Sequence, residues 1–178
     1  LMHGTCCFTQ LIVLSQGGSV VTLESRSLDV PELLDTIERE GVNLIAIVGD
    51  AFAKPINRAL AAEPDRWDLS SLVAITSSGV MFSEPVKQEL LGRVPGALIL
   101  DAFSSSEAVG MGQSISSAGA EAKTAKFSVG ENTRVLDDDL RDVEPGSGQT
   151  GRVAVGGFQP IGYYKDPDKS AATFVEVD

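Results

Sequence analysis

Histidine and cysteine are almost missing from the sequence. His3 is the only imidazole, and Cys6 and Cys7 are the only thiols, adjacent to one another. One imidazole and two neighbouring thiols cannot build a tetrahedral zinc site. Adjacent cysteines also make poor disulfide partners, so the pair is expected to be small, buried and kept in a reducing compartment. A Ser-His-acid triad would need His3 as its base, but no G-x-S-x-G elbow occurs, which argues against a serine hydrolase. Basic residues are scarce too, with 14 Lys and Arg against 25 Asp and Glu and a formal net charge of −11. That balance disfavours nucleic acid, whose phosphates reward basic patches. The longest apolar runs, near residues 8–14 and 42–48, are too short to span a bilayer. With no basic, cleavable leader at the start, a soluble cytoplasmic protein is expected.

What is present is enough apolar content for a core within 178 residues, room for one domain and part of another. Residues 4–15 carry apolar side chains on most sides and predict a buried helix ending at the Gly17-Gly18 turn. "SVVTL", 19–23, is β-branched and predicts a strand. Asp29 then caps a helix with Pro31 in its first turn and Glu32 three residues on, and Gly41 stops it. Residues 43–48 form a continuous apolar strand, Asp50 caps the helix that follows, and 72–76 form a third strand with Ser77, Ser78 and Gly79 at its carboxyl end. Ser83 caps a helix through Leu91, and Pro95-Gly96 turns the chain into a strand over 97–100. Alternating strands and helices imply right-handed crossovers, hence an α/β fold with a mainly parallel sheet flanked by helices. After Gly110 the texture becomes Gly-, Ser- and Thr-rich with short β-like runs. Residues 1–112 are therefore expected to form a partial α/β subdomain and 113–178 part of a β-rich subdomain, closed by a short helix from Asp166.

The chemistry is expected in "ALILDAFSSSEAVG", 97–110. In an open parallel sheet, ligands gather beyond the carboxyl ends of the strands. An aromatic face at Phe103, hydroxyls at Ser104, Ser105 and Ser106, and the Glu107 carboxylate suit a nucleotide with its Mg2+, which takes few protein oxygens plus phosphate. A plain polar loop with an exposed Glu is the competing reading. Elsewhere, "GSGQTG", 146–151, is a literal G-x-G-x-x-G, but it precedes a strand instead of joining strand to helix, so it predicts a hairpin turn. Asp137, Asp138, Asp139 and Asp142 lack the alternating ligands, central Gly and terminal Glu of a calcium loop and predict a solvated turn.

Taken in order, "LMHG", "ITSSGVMFS", "LDAFSSSEAVG" and "GRVAVGGFQPIGYYKDPDKSAATF" resemble the adenylate-forming superfamily, most closely its acyl-CoA synthetases, or fatty-acid CoA ligases. The wording of "IVGDAF" and "DAFSSSE" is similar to actinobacterial members, including those that handle sterol side-chain acids. The resemblance implies a two-step reaction, in which ATP and an acid give acyl-AMP and CoA then displaces AMP. It implies that His3 lies beside the acyl tunnel near the carboxylate. It places Ser77, Ser78 and Gly79 along the adenine and acyl pocket, and Asp101, Ala102 and Phe103 at the adenine. Phe103 replaces the family's usual tyrosine, and Ser104 its usual glycine. Ser106 matches the threonine that contacts phosphate, and Glu107 the acid that helps hold Mg2+. The resemblance implies an acid pocket lined by residues 48–52, 77–81 and 103–111, with Val48, Gly49, Gly79 and Ser104 beside His3, and the mostly small or apolar character of these segments favours a fatty or other bulky hydrophobic acid.

The family's phosphate loop is expected before Leu1, and its ribose-gripping aspartate and catalytic lysine after Asp178. The chain is accordingly expected to be an internal segment of the N-terminal domain with little or no ligase activity alone. Two alternatives stay open, an adenylating enzyme that serves a carrier protein and a catalytically silent nucleotide-binding module. Homo-oligomerisation and peripheral attachment to a membrane are also left open.

Overall fold

The computed structural model describes residues 3–120, 124 and 126–177. The chain divides into two compact units, one of Leu1–Phe103 with Gln113–Ser128 and one of Ser104–Gly112 with Val129–Asp178.

The first unit is built on a sheet of order β1-β2-β3-β4-β5, with β1 at Leu44–Ile47, β2 at Ala74–Ser78, β3 at Leu98–Phe103, β4 at Gly112–Ser116 and β5 at Ser128–Val129. The first three strands are parallel, with Ile45, Ile75 and Ile99 in register and Ile47, Ser77 and Asp101 in register two residues on. Three helices, α2 (Val30–Glu40), α3 (Gly49–Ala62) and α4 (Glu84–Arg93), supply most of the apolar cover. Leu34 and Ile37 from α2, Ala53, Ile56 and Leu60 from α3, and Leu90 and Leu91 from α4 pack with Ile47, Ile75 and Ile99 of the sheet. Residues three and four apart lie on one side of a helix, which is why these positions share the core. The mainly parallel α/β architecture expected from the alternating pattern is the one observed.

Helix ends follow local chemistry. Asp29 accepts from the Glu32 amide at 3.0 Å to start α2, and Gly41 ends it at φ +59. Glu32 does not close a reciprocal cap, because its carboxylate takes the Glu24 amide at 2.6 Å and the Ser25 amide. One expected cap is corrected and another is half met. The helix of Asp50 begins earlier, with Val48 at its cap position, whereas Ser83 stands at the cap position of α4 as expected but makes no side-chain capping bond. The two side chains bind one another instead, Ser83 Oγ donating to Asp50 at 2.9 Å.

Other expectations change as well. Residues 19–23 form no strand, and Val21 is 47% exposed. Their β-branched composition has no strand beside it to complete a ladder, so propensity alone does not fix the backbone. The first helix, α1 (Gly4–Ser15), forms as expected but buries no residue; Leu11, Ile12 and Leu14 are all exposed. Cys6 and Cys7 lie on it, unbridged and half-buried. The second strand runs to Ser78 and the third to Phe103, so Ser77, Ser78, Asp101 and Ala102 are strand residues and not a loop beyond it. The short strand β4 lacks a clear apolar alternation and was not expected.

In the second unit β6 (Thr133–Leu136) pairs antiparallel with β7 (Arg152–Val155), joining Val135 to Val153 across the ladder. The G-x-G-x-x-G stretch lies in the connection between them, with Gly146 at φ +83 and Gly148 at φ +78, as a hairpin turn requires. Asp137 to Asp142 form an exposed turn in which Asp137 accepts from the Asp139 and Arg141 amides, each at 2.9 Å. Helix α5 (Pro167–Thr173) is capped by Asp166, which accepts from the Lys169 amide at 3.1 Å.

Candidate functional site

The carboxyl ends of β1 and β2 are tied together by short polar contacts. The Gly49 amide donates to the buried Ser77 hydroxyl at 3.1 Å, and the Asp50 amide to the Met81 carbonyl at 3.2 Å. The Ser83 amide donates to Asp50 Oδ1 at 2.8 Å, and Lys54 pairs with Oδ2 at 3.1 Å. Partial burial pushes the Asp50 carboxyl up. The Ser83 amide, Lys54 and the Ser83 hydroxyl outweigh it and hold the carboxyl below its usual range. Gly49 has φ +48, and a side chain there would place its first carbon 2.5 Å from the Met81 carbonyl oxygen. No residue but glycine allows this approach.

Gly79 follows β2 with φ +91, and the position a side chain would take lies 3.0 Å from His3 Cε1 and 3.8 Å from Val48 Cγ1. Three predicted pocket residues, His3, Val48 and Gly79, thus converge at one point. His3 also starts α1, its Nδ1 accepting from the Thr5 amide at 3.3 Å. Val80 and Met81 continue the same loop with exposed apolar side chains.

Along β3 the picture differs. The Asp101 carboxylate is buried and holds Lys87 Nζ at 2.9 Å, so its side chain is committed to an ion pair inside the fold. Lys87 also lies 5.4 Å from the centre of the Phe82 ring. Ala102 is exposed, and the half-buried Phe103 ring tilts against Phe127 with centroids 5.7 Å apart. Sequence reasoning missed Lys87, although its place on the buried side of α4 with Leu90 and Leu91 signalled it. A lysine in an apolar stripe needs an acid opposite.

In the second unit, residues 104–110 form a loop stitched by its own hydroxyls. Ser104 accepts from the Gly110 amide at 3.0 Å and Ser105 from the Ala108 amide at 3.2 Å. Ser104 does not adopt a positive φ, so serine fits where the family's glycine was expected. Ser106 is exposed. Glu107 Oε1 accepts from the Tyr163 hydroxyl at 2.6 Å. The Tyr163 hydroxyl, the Glu107 amide and the Ser105 hydroxyl hold the Glu107 carboxyl below its usual range, with a smaller pull from Lys169. Tyr163 is raised in turn, chiefly by Glu107. Glu107 borders an open cleft of about 400 Å³ with Gly110, Asn132, Thr133 and Gln159. Tyr163 was visible only as part of a motif, because nothing in local spacing links it to a residue 56 positions earlier.

No three His, Cys, Asp or Glu side chains gather into a metal cluster among the described residues. Mg2+ that takes most of its ligands from phosphate and water requires only one or two carboxylates, and the ionised Glu107 fits that demand.

The chain matches the AMP-binding enzyme family over residues 1–164 and belongs to that family. It is 38% identical over 175 residues to a Mycobacterium tuberculosis protein named "Medium/long-chain-fatty-acid--CoA/3-oxocholest-4-en-26-oate--CoA ligase", covering 98% of this chain and 31% of the relative. It is 38% identical over 183 residues to a Rhodococcus rhodochrous "3-oxocholest-4-en-26-oate--CoA ligase", covering 99% and 32%. The chain thus spans about a third of the length of the curated relatives it matches. Among solved structures, an NRPS protein containing adenylation and PCP domains superposes with TM-score 0.75 at 20% identity, over 93% of this chain and 33% of that one. An amide bond synthetase from Marinactinospora thermotolerans gives TM-score 0.68 at 20% identity, over 91% and 33%. These likenesses establish the adenylation-domain fold. No described helix is long and apolar enough to cross a membrane.

Proposed function

We propose that the chain is the central part of the N-terminal domain of an ATP-dependent acyl-CoA synthetase that activates a hydrophobic carboxylic acid, a fatty or sterol side-chain acid. The convergence of His3, Val48 and Gly79 beyond the carboxyl ends of parallel strands carries this reading, since it leaves glycine backbone where an acyl chain must pass. The names of the relatives support the substrate class.

In the first step a carboxylate oxygen attacks the α-phosphorus of ATP and pyrophosphate leaves, giving acyl-AMP. In the second the CoA thiol attacks the acyl carbon, a thioester forms and AMP departs. Bringing anion against anion makes the first barrier largely electrostatic. Glu107 would hold Mg2+, which when bound neutralises phosphate charge, and Ser106 would donate to a phosphate oxygen. Phe103 would cover the adenine with Ala102 and the main chain of Asp101 beside it, while Ser77 and Ser78 carry the strand to Gly79. His3, Val48, Gly49 and Ser104 would border the acid.

The test is ATP–pyrophosphate exchange by the complete enzyme against acids of graded length and bulk, followed by transfer to CoA or to a carrier protein. Exchange that rises with hydrophobic acids and thioester formation with CoA support the proposal. Transfer only to a carrier protein would move the enzyme to the other adenylating class. Nucleotide binding in calorimetry with no exchange would leave a silent binding module. The 178-residue chain alone is expected to bind an acyl-adenylate mimic more tightly than either AMP or the acid, and to show little or no ligase activity.

A further inference from the structure

The Glu107 carboxylate is held from one side by a phenol that is itself unusually well fixed. The Tyr163 amide donates to Ser170 Oγ at 2.8 Å, and that hydroxyl donates onward to the Asp166 carbonyl at 2.6 Å. The Tyr163 ring packs against Phe174 with centroids 5.6 Å apart, and Lys169 Nζ lies 4.0 Å from the ring centre. Gly162 has φ +145, and a side chain there would come within 2.8 Å of Ser170 Oγ, so the turn entering Tyr163 requires glycine. The next residue provides a contrast. Tyr164 is 88% exposed, and its ring lies 5.2 Å from Lys165 Nζ.

Taking Glu107 as the metal-facing carboxylate of the proposed adenylation site, we infer that Tyr163 is its positioning residue, seated by Ser170, Phe174 and Lys169 so that its hydroxyl fixes Glu107 Oε1. A carboxylate with one oxygen held offers the other in a fixed direction, and a fixed ligand loses less freedom when it meets a cation. Tyr163 itself touches neither nucleotide nor acid in this scheme. It acts through Glu107.

The experiment compares Tyr163→Phe, Phe174→Leu, Tyr164→Phe and Glu107→Gln in the complete enzyme. One readout is the Mg2+ dependence of ATP–pyrophosphate exchange. The other is Mn2+ binding in the presence of ATP, followed by water-proton relaxation. Tyr163→Phe should raise the metal concentration for half-maximal exchange by roughly tenfold, the effect of losing one hydrogen bond to a charged group. It should weaken Mn2+ binding to a similar extent and leave KM for the acid unchanged. Phe174→Leu, which loosens the ring without removing the hydroxyl, should move both in the same direction by less, and Tyr164→Phe should move neither. If Glu107→Gln alters the metal dependence while Tyr163→Phe and Phe174→Leu do not, the positioning role is overturned and the adenylation site survives. Lower thermal stability in either variant with unaltered metal binding overturns it equally, as a purely structural effect. If Glu107→Gln leaves metal binding and exchange untouched, the assignment of Glu107 falls and the role of Tyr163 with it.

Discussion

Lys87 of α4 and Asp101 of β3 form an ion pair at 2.9 Å with side chains only 1% and 6% exposed. The pair fastens the helix to the strand two residues before Phe103, where the chain leaves the sheet. Removing one partner strands a buried charge, which costs about 3–5 kcal/mol, whereas replacing both with apolar groups of similar volume is often neutral. Lys87→Met is therefore expected to destabilise by about that amount, and Lys87→Met with Asp101→Leu to recover most of the loss. Urea unfolding of the singles and the double decides it, and strictly additive losses would show the pair to be uncoupled.

Glycine is required at position 49 for two separable reasons. Gly17, at φ +78 with nothing within 4 Å of the added carbon, shares only the backbone reason. Gly17→Ala should cost about 1–2 kcal/mol, the ordinary penalty of a left-handed residue. Gly49→Ala adds a collision with the Met81 carbonyl and should cost clearly more. Equal losses in denaturant melts would mean that the loop of Val80 and Met81 yields freely.

Acid should weaken the contacts of Asp50. Its folded value lies below the ordinary carboxylate value of 3.8, so the stabilisation is fully present above that value and is lost as pH falls through the lower, folded one. The stability gap between the parent and Asp50→Asn should be flat at neutral pH and close below about pH 4. A gap unchanged down to about pH 2 would assign the effect to shape instead of charge.

Glu107→Ala in the complete enzyme should slow adenylation by roughly a hundredfold, in the range seen when one electrostatic partner of a transition state is deleted. Acid binding should change little. Single-turnover formation of acyl-AMP beside equilibrium binding of the acid separates the two, and an unchanged rate with ordinary Mg2+ dependence would count against the role of Glu107.

Local periodicity made α2, α3, α4 and the three parallel strands legible in the sequence, because each buries a regular face against its neighbours. Asp29 and Gly41 marked helix ends for equally local reasons. Residues 19–23 misled because a β-branched run becomes a strand only beside another strand. Asp50 misled because its carboxylate is satisfied by Ser83 across 33 positions, which also leaves Ser83 at the cap position of α4 without a capping bond. Glu107 and Gly79 both lie in the loops where they were expected. The long-range contacts of each unit, His3 with Gly79 and Lys87 with Asp101 in the first and Tyr163 with Glu107 in the second, join residues that no sequence window contains. The packing of Phe103 on Phe127 is a contact that composition could not reveal.

The buried apolar residues are divided unequally. Those of the sheet and its helices form one large cluster, whereas among the described residues of the second unit only Met111 and Leu136 are buried hydrophobics. Amides of β6 and β7 should consequently exchange with deuterium sooner than those of β2, through openings that leave the larger unit intact. Warming would then loosen β6 and β7 before the larger unit melts, while most of the helical signal, which comes from α1 to α4, persists.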